Sequence, residues 1–239
     1  MLHLPAVYVI ICFSLILCYV SDTAANHQFY NISVAQWNKE YSKGEWKYLD
    51  AVAIERARAS LISVFYSTYS NSGTGGAILD VGSGEGVLSD YLTEQQKKQY
   101  TGVDISEVAI NTAKEKRSKF GCTFITSPAH SFLPDHRYDT IVFNEMLYYV
   151  NHKHIMKRFA RYLNPNGIII ISIWYSDKVT NLMTKIFADA AVMFTQVDDS
   201  RLSGSTTIKN QKLPVTFRVG VFKISHNPDG QEGAEEGKP

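Results

Sequence analysis

Three glycines crowd into the five residues Gly82-Ser83-Gly84-Glu85-Gly86, directly after the run Ala77-Ile78-Leu79-Asp80-Val81. An apolar run of that length, bounded by turn residues, reads as a strand buried on both faces. Glycines so closely spaced carry an entropic cost that an ordinary turn has no need of, so the backbone here is expected to approach something a Cβ would block. Val87 to Lys98 reads as the helix that follows. Tyr100-Thr101-Gly102-Val103-Asp104 reads as a second strand, its final acid twenty-four residues beyond Asp80. Strand, glycine turn, helix, strand and terminal acid together make the layout of a nucleotide-type site in a parallel α/β sheet. A carboxylate at that strand end can accept both hydroxyls of a ribose.

A dinucleotide fingerprint requires Gly-x-Gly-x-x-Gly, its last glycine packing helix against strand. Val87 stands there instead, and the pattern is Asp80-x-Gly82-x-Gly84-x-Gly86. It resembles motif I of the class I S-adenosylmethionine-dependent methyltransferases. The resemblance implies an α/β Rossmann-like fold: a seven-stranded, mostly parallel sheet with helices on both faces and an antiparallel last strand. It implies S-adenosyl-L-methionine as cofactor, bound along Asp80, Gly82, Ser83, Gly84 and Gly86, with Asp104 on the ribose and Ile105 beside it. Further on, Val142-Phe143-Asn144-Glu145-Met146-Leu147-Tyr148-Tyr149 resembles motif IV of the small-molecule members related to the nodulation N-methyltransferase. By that likeness Asn144 or Glu145 contacts the cofactor's amino group or the acceptor, and Tyr148 and Tyr149 line the acceptor pocket. Two blander readings stand beside it: Glu145 caps the next helix, and the tyrosines are packing. Asn144, Glu145 and Tyr148 are the candidate catalytic residues. The aromatic stretch Trp37 to Leu49 either resembles the family's N-terminal cap, with Trp37 and Trp46 against the cofactor, since a sulfonium is attracted to a ring face, or is a peripheral helix that packs its aromatics on the sheet. Arg56 or Arg58 either pairs with the methionine carboxylate, as a guanidinium can, or lies on a solvated helix face. The sequence departs from the family after the third strand. Thr126-Ser127-Pro128-Ala129-His130 has no acid for the adenine amino group, leaving Ser127 or the backbone near Ala129 to accept it. His130 either stacks on adenine or sits at the surface.

The 239 residues are 45% hydrophobic and 20% charged, enough for one domain with a sizeable core. Lys and Arg number 24 against 23 Asp and Glu, so no basic field for nucleic acid is present. The acceptor expected is a small molecule; the oligomeric state is left open. Apolar spacing marks a helix over Ala51–Tyr69 and others over Glu107–Phe120, His154–Leu163 and Asn181–Val192. Strands are expected at Thr123–Thr126, Tyr138–Phe143, Ile168–Trp174, Arg201–Ile208 and Val215–Ile224. No Cys, His or carboxylate spacing resembles a metal site. His130, His136, His152 and His154 are all near the presumed cleft, and any of them can serve as a base.

Leu4 to Val20 carries no charge, and Thr23 and Ala25 are small residues suitably placed before a cleavage at Asn26. Residues 1–25 read as a secretory signal peptide, as a membrane anchor through residues 4–20, or as a buried helix or mis-assigned start. Residues 26–225 form the expected methyltransferase domain, and 226–239 a disordered tail. The first reading puts the chain in the secretory pathway, the second at a membrane. Of three cysteines, Cys12 and Cys18 fall in the leader and leave Cys122, which is expected to be packing. Asn31-Ile32-Ser33 is a glycosylation sequon, relevant to a lumenal chain. Two other functions compete with methyl transfer. One is a catalytically silent binding protein of the same fold, the other a nicotinamide-dependent oxidoreductase.

Overall fold

The structure is a computed structural model that describes residues 32–70, 76–175, 180–208 and 211–224. The expected leader, the tail after residue 225 and Asn31 lie outside those residues. Among the described residues no helix is long and apolar enough to cross a membrane.

The strands are β1 (Ile78–Val81), β2 (Tyr100–Asp104), β3 (Thr123–Thr126), β4 (Tyr138–Asn144), β5 (Leu163–Tyr175), β6 (Phe194–Ile208) and β7 (Gln211–Ile224). They form one sheet in the order β3-β2-β1-β4-β5-β7-β6. The neighbours from β3 through β5 are parallel, and β7 runs antiparallel to both β5 and β6. This is the expected seven-stranded, Rossmann-like sheet with an antiparallel last strand.

The run Ile168-Ile169-Ile170-Ile171 on β5 shows why such strands are continuously apolar. Successive side chains point to opposite faces. Ile168 and Ile170 join Ile78, Val142, Val219 and Val221 under the helices α3 (Ala53–Tyr69) and α5 (Glu107–Arg117). Ile169 and Ile171 join Leu79, Ile141 and Phe143 under α6 (His152–Ala160) and α7 (Thr180–Met193). Ile78, Leu79 and Val81 of β1 and Leu163, Ile168, Ile169, Ile170, Ile171 and Ile173 of β5 are all buried, so neither face can take a polar substitution cheaply.

Several boundaries differ from the sequence reading. The single helix expected over Val87–Lys98 is a 3₁₀ turn at Val87–Tyr91 and a separate short helix at Glu94–Lys97. Leu92 between them is extended, and Thr93 with Gln96 forms a capping box that starts a new helix. α3 begins at Ala53, because Val52 is extended and ends the short helix Tyr48–Ala51. α6 starts at His152, where the Asn151 side chain accepts the His154 N–H. β5 begins at Leu163, with Asn164-Pro165-Asn166-Gly167 lying inside its span at a register shift against β4. β6 and β7 begin earlier than expected, at Phe194 and Gln211. β6 is an edge strand with β7 as its one neighbour, so its exposed face needs no apolar alternation to announce it.

Because β2, β1 and β4 are parallel neighbours, their carboxyl ends come out along one edge. Asp104, the Gly82 turn and Asn144 are thereby brought side by side. That edge is where ligands bind in open α/β sheets.

Candidate functional site

The glycine turn is anchored to β2: the Gly82 and Ser83 N–H groups both donate to the Val103 carbonyl, at 2.7 and 3.0 Å. Gly82 and Gly84 have φ of +79° and +54°, the left-handed region that glycine tolerates. A Cβ on Gly82 would lie 2.8 Å from the Met146 Cβ, and one on Gly84 2.6 Å from the Tyr41 hydroxyl. The turn therefore has no side chain at Gly82, where Met146 packs, or at Gly84, where Tyr41 closes over it.

Asp104 faces this turn and is buried. One carboxylate oxygen accepts the Gly84 N–H at 2.9 Å, the other the Ser106 N–H at 2.8 Å. Burial pushes its pKa up, and these backbone donors, with that of Ile105, push back. The carboxylate is thus fixed in orientation while each oxygen keeps lone-pair capacity for a further donor.

A cavity of about 680 Å³ opens at this edge, within the range of ~300–1,000 Å³ usual for small-molecule sites. Its wall includes Gly82, Ser83, Gly84, Asp104, Ile105, Ser127, Ala129, Asn144, Glu145, Tyr148, Trp37 and Trp46, so the structure brings these twelve together. Asp80 and Gly86, expected on the ligand, are not part of the wall. Asp80 lies beneath the turn, accepting the Tyr100 hydroxyl at 2.6 Å, with its other oxygen unpartnered among the described residues. Burial pushes its carboxyl up to about 7, against the Tyr100 hydrogen bond and with help from the Asp104 charge. Gly86 is closed by the Phe124 ring, 2.5 Å from where its Cβ would be, and serves packing.

The cap is helix α1 (Val34–Ser42) with the turn after it. Glu40, 2% exposed, accepts the Gln36 amide at 2.6 Å and the Trp46 indole N–H at 3.2 Å. The Asn38 side-chain oxygen Oδ1 accepts the Ser106 hydroxyl at 2.8 Å, which ties α1 to the start of α5. Trp37 is 5.5 Å from Trp46 and edge-on to Tyr149 at 5.1 Å, giving the cavity an aromatic side.

The opposite wall is a buried polar network. Glu145 has φ +57°, an uncommon conformation for a non-glycine residue. Its carboxylate accepts the Tyr148 hydroxyl (2.7 Å), the Trp174 N–H (2.9 Å) and the Ser172 hydroxyl (3.0 Å). Glu145 therefore does not cap α6; Asn151 does. Arg58 donates to Glu55 from both Nε and a terminal nitrogen, at 3.2 and 2.5 Å, and to the Asn144 side-chain oxygen. It also stands 3.8 Å from Glu145 and 4.7 Å over the Phe217 ring. Its fork is thus engaged by protein carboxylates. Arg56 points away, exposed, toward the Tyr91 hydroxyl. His130 and His154 reach the cavity wall, whereas His152 is buried against Asp189 at 2.8 Å and His136 lies outside beside Asp135.

Glu55, Ser172, Trp174 and Phe217 were absent from the sequence reading of the site. For Glu55 a signal existed: it shares a helical face with Ile54, Arg58, Ala59 and Ile62, all buried, while Arg56 falls off that face. Ser172 and Trp174 carry no signature, since only sheet register brings β5 to Glu145.

Comparison with known proteins agrees with this geometry. A family model described as a methyltransferase domain matches residues 53–206, more than half of the chain. No curated protein sequence matches significantly. Among solved structures, the N-methyltransferase NodS from Bradyrhizobium japonicum WM9, in complex with S-adenosyl-L-homocysteine, superposes with a TM-score of 0.62 at 17% identity. The match covers 79% of this chain and 100% of that one. The plantazolicin methyltransferase BpumL, in complex with a pentazolic analogue and S-adenosylhomocysteine, gives 0.55 at 15% identity over 80% and 92% of the two chains. A putative RNA methyltransferase from Pyrococcus horikoshii gives 0.54 at 15% identity over 71% and 85%. At such identities the likeness is one of fold.

Proposed function

The chain belongs to the methyltransferase domain family, and on that premise we propose that it uses S-adenosyl-L-methionine to methylate a nitrogen or oxygen of a small molecule. The observation that carries the proposal is Asp104, a buried carboxylate held by two backbone N–H groups in the wall of a cavity beside a glycine-rich turn. That pair of acceptor oxygens suits a ribose diol, the glycines of the turn suit close backbone approach, and the aromatic side suits a sulfonium. When bound, the cofactor supplies a methyl group on a sulfur that is already a good leaving group. The chain's own task is then alignment and exclusion of water. Trp37 and Trp46 cover one side, Ser127 and Ala129 border the adenine end, and Asn144, Glu145 and Tyr148 stand at the acceptor end.

The aromatic-sided cavity and the balanced charge of the chain favour a small acceptor over nucleic acid. Entry into the secretory route through residues 1–25 is part of the proposal, and occupancy of the Asn31 sequon in cells would test it.

Calorimetric titration of S-adenosylhomocysteine into the full-length chain and an Asp104→Ala variant tests the reading. Saturable binding that the variant loses is expected. A folded wild-type chain that binds nothing would instead favour a silent protein of this fold, and nicotinamide binding in its place would favour an oxidoreductase.

A further inference from the structure

Helix α3 and the end of β4 bring two carboxylates to one guanidinium. Glu55 is paired with Arg58 at 2.5 Å, and Glu145 lies 3.8 Å from the same group. All three line the cavity, and Asp104 adds a further negative charge to the same wall. Among the described residues the ion pairs of Glu55 and Glu145 both run to Arg58, so two carboxylates share one guanidinium and, with both ionised, exceed it by one negative charge. An uncompensated charge away from water is expensive, and an occupant carrying positive charge relieves it. An anionic occupant adds a like charge instead.

Tyr148 sharpens this. Its hydroxyl is 2.7 Å from Glu145 Oε2, and an ionised carboxylate can only accept, so the phenolic proton is committed to Glu145. Toward the cavity the phenolic oxygen is left with acceptor capacity only. Its partner there must be a donor.

We infer that the acceptor is an amine, bound as its ammonium form between Tyr148 and the Glu55–Arg58–Glu145 cluster, and relieved of a proton through Tyr148 to Glu145. This rests on the methyltransferase reading and narrows it from nitrogen or oxygen to a basic nitrogen. In the step, one N–H bond of the ammonium breaks and its proton passes to the Tyr148 oxygen. The Tyr148 proton passes to Glu145 Oε2, and the nitrogen keeps the electron pair as the lone pair that methylation requires. Net, one proton moves from the amine to Glu145, and no oxidant or reductant is involved.

The groups that face Glu145 fit a proton acceptor. They are Arg58 and Glu55 from α3, Tyr148 from the turn after β4, and Ser172 with the Trp174 N–H from β5. Burial pushes the Glu145 pKa up, with Glu55 acting in the same direction. Arg58, Tyr148 and the Trp174 N–H hold it back. Glu145 acts through Tyr148 and is a positioning and proton-holding residue; Tyr148 would touch the acceptor.

The test uses the full-length chain saturated with S-adenosylhomocysteine, whose sulfur is neutral, so that no sulfonium competes for the negative charge. Benzylamine and spermidine are titrated calorimetrically beside benzyl alcohol and phenylacetate. Amines are expected to bind at least ~10-fold more tightly than phenylacetate, since like-charge juxtaposition penalises the anion. That preference should shrink by ~10-fold in Glu145→Gln and in Glu55→Gln, both still binding S-adenosylhomocysteine. Glu55→Gln leaves the strained end of β4 untouched and keeps the test valid if Glu145→Gln fails to fold. With a methylated amine in hand, Tyr148→Phe should shift the acid limb of the kcat/KM profile, which a purely structural role would not do. Equal binding of amine, alcohol and carboxylate, or no binding of any, with S-adenosylhomocysteine still bound, would overturn the inference and spare the function. A folded chain that binds no S-adenosylhomocysteine would overturn the function itself.

Discussion

Asp80 provides a sharp test of the geometry under the glycine turn. Its carboxyl is 1% exposed, with one oxygen on the Tyr100 hydroxyl and the other without a partner among the described residues. Burial lifts its pKa from 3.8 to about 7. The folded pKa lies above the unfolded one, so the folded state holds the proton to higher pH. The stability linked to that proton is fully present below the unfolded value and is lost as pH rises through about 7. A shift from 3.8 to about 7 corresponds to about 4 kcal/mol at ~1.36 kcal/mol per pH unit, an upper bound once relaxation is allowed. Between pH 5 and pH 8 the share lost is about 2.5 kcal/mol by the same linkage. Asp80→Asn keeps an acceptor for Tyr100 and cannot ionise. Urea unfolding followed by circular dichroism at pH 5, 6, 7 and 8 should show the wild type losing about 2.5 kcal/mol more than Asp80→Asn over that range. The variant also relieves Asp104 of a neighbouring charge, which adds in the same direction. Parallel profiles would refute the reasoning, because they would mean that Asp80 ionises in the folded chain without cost.

Arg58→Met should destabilise the fold by ~3–5 kcal/mol, because it strands Glu55 and Glu145 without their cation. Adding Glu55→Gln should recover part of that loss, read by denaturant midpoint. Gly84→Ala and Gly86→Ala should each cost ~1–3 kcal/mol through backbone strain. They should differ in calorimetry: Gly84→Ala displaces Tyr41 over the cavity and weakens S-adenosylhomocysteine, whereas Gly86→Ala presses on Phe124 and leaves affinity nearer the wild-type value. Glu145→Gly relieves the φ of +57° but deprives the Trp174 N–H and the Ser172 hydroxyl of their partner. A buried donor left unsatisfied costs ~1–3 kcal/mol, so Glu145→Gly should unfold at lower urea than Glu145→Gln.

How much of this could be read from the chain depends on the range of the interaction involved. The placing of Asp104, Gly82 and Gly84 at the cavity was legible because a strand, a turn and the next strand encode them within about thirty residues, whereas Gly86 in the same pattern packs on Phe124. Asp80 belongs to the same pattern, yet the pattern does not say which side of the turn its carboxyl takes. Tyr100, one strand over, decides that. The helix expected over Val87–Lys98 failed for a local reason, the capping box at Thr93, which was visible as Thr93 and Gln96 three residues apart. The surroundings of Glu145 are assembled from α3, β5 and β7: Glu55 comes from the buried face of α3, and only the register of the sheet brings Ser172, Trp174 and Phe217 there.

Glu145 is where the two kinds of information meet. As the residue after β4 it sits at a position where a parallel sheet presents ligands, and its backbone N–H donates to the Ser172 carbonyl at 3.0 Å, continuing the β4–β5 pairing by one more step. A left-handed φ just there turns the chain away from the sheet while the carboxylate reaches back to bind β5 at Ser172 and Trp174. Such a conformation costs ~1–3 kcal/mol and persists only where its surroundings over-determine it. Three hydrogen bonds and a nearby guanidinium do so here. Were the carboxylate needed only to hold the turn, glycine at this position with an apolar wall would serve more cheaply, since buried ionic groups are poor sources of stability. A strained glutamate, set beside Arg58 and facing a cavity through a tyrosine, is better accounted for by chemistry at that cavity than by folding.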